Sequence, residues 1–412
     1  MLSKNHLFWF ISTLAAVILL MSVAPRALVF LPGVLGLVFF SWQWKSTNTR
    51  PAIPFAVLLV CVGVPVMGVL SALWAHDPAQ SIERAYKTAL IFLPGSLLIG
   101  FVTTVEIQKL KSLLWVVPAF VAATIAVICI DLAFDYPFYR LTHGMMDGAR
   151  IPPDVMNRSA VAVSLCLFPA FVLAGYVRPA RALVLRGVLI APMIVLLFLT
   201  ASQSAQMAVA LGLLFMVAFP YRSRLAWGVL AGGLVGGIML APFLAEGAFA
   251  WLRAHDNQSW FFTAVRGAHM EERLEIWDFI ASYALKNPLY GFGMDVTRTI
   301  TEFDTARLYH PAVSTLHPHN FVLQIWIEFG ALGALLTAGL MLYILRAIYR
   351  LELAARRAAL PLFVASLSVV LVAYGLWQGW WLGLLILVTA LSIMAVRAEE
   401  DEAHKDNLKN SP

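Results

Sequence analysis

Charge is what this sequence has least of. Asp, Glu, Lys and Arg together make up 13% of its 412 residues, against 61% hydrophobic residues and a mean hydropathy of +0.81. So little charge cannot cover a water-soluble chain of this length, which excludes a soluble enzyme or binding module. Cysteine is scarce as well. Cys61, Cys129 and Cys166 all sit inside apolar runs. Their number is odd and their spacing shows no metal pattern, so no disulfide framework is implied and they read as small buried hydrophobes. No HExxH pattern accompanies the histidines, so no zinc or other metal is expected. No internal repeat stands out. Nor is there a matched pair of Gly/Pro-broken spans of the kind inverted-repeat transporters carry. A cleavable leader is not expected, because the first apolar run is followed at once by a second.

What the chain has is apolar runs of membrane-spanning length. About twelve are legible: residues 7–24, 27–44, 54–74, 86–103, 112–134, 157–176, 183–200, 203–219, 225–244, 319–349, 360–377 and 379–396. The reading is an all-α polytopic membrane protein in four parts. Residues 1–244 hold the first nine spans, 245–318 one large and partly helical outer loop, 319–396 the last three spans, and 397–412 a polar tail with both signs of charge. With both termini inside, seventeen Lys and Arg fall on inner loops and six on short outer ones, as the positive-inside rule requires. The other six lie in the long outer segment, which that rule does not govern. Nine acids accompany them, so the segment is no polycation and no nucleic-acid partner is expected.

The polar residues that can do chemistry concentrate there. A helix is expected over 263–285, ended by Lys286-Asn-Pro288. On it Arg266, Arg273 and Trp277 follow at i, i+7 and i+11 and share one face, the two arginines about 10 Å apart along the axis. Two guanidiniums so placed suit a diphosphate. Equally, they have Glu271, Glu272, Glu275 and Asp278 to pair with on a solvated face. The turn Asn287-Pro-Leu-Tyr-Gly-Phe-Gly293 reads first as a turn and only second as a phosphate cradle.

Next comes His317-Pro-His-Asn320 at the mouth of a span. Pro318 holds His317 out of helical geometry, and His319 is expected to open the tenth span. If that span is straight, Leu323, Gly330 and Gly333 share the face of His319, and Glu328 points the other way. A neutral histidine at such an interface can take a proton from a hydroxyl near physiological pH. A histidine bound to backbone is the competing reading. Glu328, a carboxyl inside a span, needs a partner or a wet cavity. Residues 135–154 add Arg140, His143, Asp147 and Arg150, followed by Asn157 and Arg158, as a second polar loop that either faces the same site or is ordinary loop polarity.

These residues resemble the O-antigen ligase and O-antigen polymerase superfamily of bacterial membrane glycosyltransferases. The similarity lies in Arg273-Leu-Glu-Ile-Trp277, in Asn287-Pro-Leu-Tyr-Gly-Phe-Gly293, in Asn157-Arg158-Ser-Ala160, and in His319-Asn320 followed after nine residues by Gly330 and then Gly333. One departure stands out. Where family members often carry Ser-Arg after a Leu-Thr, this chain has Leu199-Thr-Ala-Ser202 and then Gln203, so either another residue such as Arg150 or Arg158 supplies the missing charge, or that position has a different role here. The resemblance implies a GT-C-like fold and an O-antigen ligase without metal or cofactor, inverting at the anomeric carbon. Its partners would be an undecaprenyl-pyrophosphate-linked glycan donor, a lipid A-core acceptor and membrane lipids, at the periplasmic face of a Gram-negative inner membrane. His319 would be the base, and Arg273 with Arg266 would hold the pyrophosphate. Arg150, Arg158, Asn157, His317, Asn320 and Trp277 would contact donor or acceptor. Within the superfamily the alternatives are an O-antigen polymerase and a protein O-oligosaccharyltransferase. A lipid-glycan flippase or transporter is the alternative of another class, and the concentration of polar residues in one outer loop argues against it.

Overall fold

A computed structural model describes residues 3–48, 50–146, 148–255, 270–300, 309 and 317–409. Among these every regular element is helical. The long helices are α1 Lys4–Leu20, α2 Leu31–Thr47, α3 Phe55–Ser71, α4 Pro78–Thr104, α5 Val116–Ala133, α6 Asn157–Leu173, α7 Pro179–Leu199, α8 Gln203–Ala218, α9 Arg224–Met239, α10 Ala241–His255, α11 Met270–Ala284, α12 Phe321–Arg350, α13 Leu353–Val372 and α14 Gly379–Lys409. Short polar residues at the ends of the apolar runs start them. Asp77, Ser202, Ser223 and Asn320 each accept a backbone N–H in the first turn of α4, α8, α9 and α12. That N–H would otherwise go unpaired.

Each of the twelve expected runs falls largely on a helix. Among the described residues seven helices are long and apolar enough to cross a membrane, or eight if the bent pair α9–α10 is one span. The apolar helices α1, α3 and α8 are shorter, at 17, 17 and 16 residues. Between α9 and α10 the chain bends by 77°. The expected single run over 225–244 therefore ends in an elbow at Leu240. The most enclosed span is α6, which packs against α5, α8, α13 and α14. The outer helix α11 packs on α10 and α12 through Ile276, Phe279, Ile280 and Ala284, an i, i+3, i+4 stripe.

The straight tenth span expected from the sequence is broken. Gly330 has φ 59° and ψ −154°, a region closed to other residues, so α12 has a gap in its backbone ladder. Carbonyls and N–H groups freed at membrane depth must find partners inside the protein. Residues 288–293 provide them. Phe292 and Gly293 donate to the carbonyls of Ile327 and Glu328 (both 2.9 Å), while Ala331 and Leu332 donate to those of Pro288 and Leu289 (2.7 and 3.1 Å). The turn is thus a clasp around the break. Two of its amides are committed there, so the phosphate cradle is not what it forms. Gly291 and Gly330 are needed for the approach, since a Cβ on either would come within 2.6 Å of the other segment's backbone.

Beneath the clasp lies a buried polar junction. One oxygen of Asp295 accepts from Gln80 (2.7 Å), from Arg84 Nε and Nη2 (both 2.8 Å) and from Arg298 Nε (2.9 Å). Glu328 accepts from Gln324 Nε2 (2.8 Å) and Trp377 Nε1 (2.6 Å). Its carboxyl therefore ties α12 to the connection between α13 and α14 and does not reach toward His319.

Candidate active site

The site is built where the start of α12 meets the connection 373–378. His319 does not open the helix. Its φ is 53°, in the left-handed region, and Asn320 is the N-cap, its side-chain oxygen accepting from Val322 and Leu323 (3.0 and 3.2 Å). The His319 Nδ1 lies 2.6 Å from the carbonyl oxygen of Ala373. A carbonyl only accepts, so Nδ1 carries the hydrogen, and in the neutral ring Nε2 holds the lone pair. That is the tautomer a general base needs.

His317 stands edge-on to it, the ring centroids 4.2 Å apart. Its Nε2 is 2.9 Å from Gln378 Nε2, and its ring lies so close to Gly375 that a Cβ there would approach it to 2.9 Å. Burial, reinforced by His319 and by the Arg298 guanidinium, pushes the His317 imidazole down to about 3. It is neutral at any physiological pH.

The helix α11 delivers the next two residues. Trp277 donates its indole N–H to the carbonyl of Pro318 (2.9 Å) and so pins α11 to the histidine loop. Arg273, one turn earlier on the same face, is half-buried, and burial lowers its guanidinium from the ordinary value. Of the acids within reach of it by sequence, Glu272 acts on the guanidinium in the opposite sense to burial, and Glu275 accepts the N–H of Tyr309 (2.9 Å). Asp278 faces Glu246 and Arg253, and burial followed by Glu246 pushes its carboxyl up to about 6. Arg266 lies outside the described residues, as do Asp147 and the expected first part of this helix, 263–269.

The third wall is the start of α6. The Arg158 guanidinium lies 5.9 Å from the ring centre of Trp380, whose indole N–H donates to Gln378 Oε1 (2.9 Å). Arg158 Nε and Asn157 Oδ1 are both buried and, among the described residues, without a hydrogen-bond partner. Tyr374 stands edge-on to Trp380 at 4.7 Å, and its hydroxyl meets Ser204 at the start of α8, beside exposed Gln203. Of the two residues named as substitutes for the missing arginine, Arg158 is thus linked to His317 through Trp380 and Gln378. Arg150 is exposed, and no contact among the described residues brings it there. Arg140 is taken up in folding its own loop, donating to Asp135, Met146 and Ala149. His143 stacks on Tyr139 at the surface.

Sequence reasoning missed the connection 373–380 altogether, although it supplies the carbonyl on His319 and the amide on His317. The signal was there: Tyr374-Gly-Leu-Trp-Gln-Gly-Trp-Trp381 puts an amide and four aromatics between two apolar runs. Arg298 was missed as well. Below the histidines a largely apolar cavity of about 280 Å³ runs between the α9–α10 elbow and Trp277, Asn320, Phe321 and Leu367.

A family model described as O-antigen ligase matches residues 188–338, from within α7 past the break in α12. Proteins named "Putative polysaccharide ligase" are similar over shorter stretches. The one from Rickettsia conorii is 26% identical over 212 residues, 50% of this chain and 49% of that protein. The one from Rickettsia typhi is 29% identical over 187 residues, 43% and 44%, and that from Rickettsia prowazekii is 31% identical over 164 residues, 38% of each. The chain spans half or less of the length of the curated relatives it matches. No solved structure matches it. The matched segment holds Arg273, Trp277, the clasp and both histidines, and over it the chain is similar to the O-antigen ligase family.

Proposed function

We propose that the protein is an inner-membrane glycosyltransferase that moves O-antigen from undecaprenyl pyrophosphate to a sugar hydroxyl of lipid A-core at the periplasmic face. The observation that carries this reading is the His319 tautomer: Nδ1–H on the Ala373 carbonyl, with the lone pair on Nε2. The acceptor hydroxyl gives its proton to Nε2 as its oxygen bonds to the anomeric carbon of the donor. The bond from that carbon to pyrophosphate breaks, and the phosphate oxygen keeps the electron pair. The imidazolium then releases its proton to water. A positioned base of this kind contributes on the order of 10²- to 10⁴-fold.

Arg273 and Arg266 neutralise the leaving pyrophosphate. Arg158 joins them in place of the arginine absent at Gln203. Its buried Nε is a donor without a partner among the described residues, and a phosphate oxygen offsets the cost of burying it. Asn157 contributes its NH₂ after a half-turn of the amide, which exchanges its O and N. The cavity of about 280 Å³ beside Asn320 is apolar enough to take part of an isoprenoid chain. Among the described residues no contact supports a part for Arg150 in binding.

The test is a deletion strain complemented with wild type or His319→Ala. Lipopolysaccharide and carrier-linked glycan are then analysed together. With His319→Ala, long chains are expected to vanish from lipid A-core while polymer persists on the carrier. Wild-type chains in that variant would remove the base assignment. A single repeat on lipid A-core with no polymer on the carrier would mark the protein as a polymerase.

A further inference from the structure

The connection 373–380 controls more than the hydrogen on His319. Gln378 sits between Trp380 and His317, and its amide orientation is determined by chemistry. Indole Nε1 is a donor only, so the amide atom facing it, 2.9 Å away, is the oxygen. The atom facing His317 is then the NH₂, again a donor only, and His317 Nε2 at 2.9 Å must accept. A hydrogen on that nitrogen would point at another hydrogen. His317 is therefore held as the neutral Nδ1–H tautomer, the same form as its neighbour.

The charged and titratable groups that face His317 act in the same direction. Arg298, from the loop before α12, and His319 both disfavour a second positive ring. Gly375 fixes the ring plane from the other side, and Arg158 lies beyond Trp380. The two imidazoles stand 4.2 Å apart. At that separation an imidazolium at 317 would strip His319 of basicity.

We propose that Gln378 is a positioning residue that acts through His317: its amide donor keeps that ring neutral and edge-on to His319, so that His319 alone changes charge at the site. This rests on the reading of His319 as base. It adds a division of labour within the pair, in which His317 is the neutral wedge and His319 titrates.

Gln378→Glu tests it, because a carboxylate accepts where the amide donates and so stabilises an imidazolium at 317. The purified full-length protein is assayed with lipid-linked glycan and lipid A-core from pH 5 to 9. Wild type is expected to show a single ionisation on the acid limb of kcat. In Gln378→Glu that limb should gain a second ionisation and move to higher pH, with kcat at pH 7 down at least about tenfold and donor KM within about twofold. Gln378→Leu, which removes the donor without adding charge, should lose kcat and keep a single ionisation.

¹⁵N-histidine spectra of the same samples read the tautomers without turnover. In wild type the His317 Nε2 should lack a hydrogen and stay so to pH 5, and in Gln378→Glu it should gain one. A wild-type His317 that titrates near the ordinary histidine range overturns the proposal. So does a Gln378→Glu variant with an unshifted, single-ionisation limb, whether or not its activity falls. Failure of the glycosyltransferase reading looks different: the wild-type spectrum would be as described and no glycan would be transferred.

Discussion

Replacing Gly330 with alanine tests the clasp most directly. At φ 59° and ψ −154° a side chain costs about 1–3 kcal/mol in backbone strain alone. The new Cβ would also stand 2.5 Å from Leu289 C and 2.6 Å from Tyr290 N. Those are backbone atoms, which cannot swing aside. The chain escapes only by moving residues 288–293 off α12, which gives up four hydrogen bonds, each worth about 1 kcal/mol net and more if left unsatisfied in a dry interior. Together these give a destabilisation of about 5–7 kcal/mol. Gly339 supplies the control. It lies later in the same helix with open space around it, so Gly339→Ala should be neutral or stabilise by up to about 1 kcal/mol. Equilibrium unfolding of both variants in mixed micelles reads the difference. If Gly330→Ala falls within about 1 kcal/mol of Gly339→Ala, the break is not held by the turn and the account of the clasp is wrong.

Two further outcomes follow from the site. Arg273→Lys keeps the charge and loses the planar fork, so transfer should fall on the order of tenfold at unchanged protein level; wild-type kcat/KM in a membrane assay would reduce Arg273 to a point charge. His317 links pH to stability. Its folded value near 3 lies below the ordinary 6.5, so between these two pH values the unfolded chain binds the proton that the folded one refuses. Stability from this group is therefore intact above pH 6.5 and is lost progressively as pH falls toward 3, by at most about 5 kcal/mol in all and about 3 kcal/mol by pH 4. Unfolding measured at pH 7 and pH 4 for wild type and His317→Gln should show that slope only in wild type. Equal slopes would mean that His317 is not buried neutral.

Much of the protein was readable in one dimension because the bilayer is a severe solvent. It demands apolar runs of a given length and penalises every unpaired charge, and both requirements show in composition. The histidines, Arg273, Trp277 and the glycines of the clasp could be named from motif and spacing. Two readings of them were wrong for a physical reason. Helical periodicity assumes a continuous helix, so it put Gly330 and Gly333 on the face of His319 and made His319 the first residue of the span. A left-handed residue at 319 and a break at 330 do not show in a hydrophobic pattern.

The sequence by itself determined that the chain is a multi-pass membrane protein, that its polar residues gather near residues 266–320, and which superfamily it resembles. Only the tertiary structure decided which atoms of that region meet. It set the carbonyl of Ala373 against His319, the amide of Gln378 against His317, and Arg158 against Trp380, which bonds to Gln378. Those partners come from α6 and from the connection between α13 and α14, about 160 positions before and 55 after the histidines in the numbering. A hydrogen bond acts over about 3 Å of space. Chain distance carries no trace of it, and packing of the helices brings its ends together.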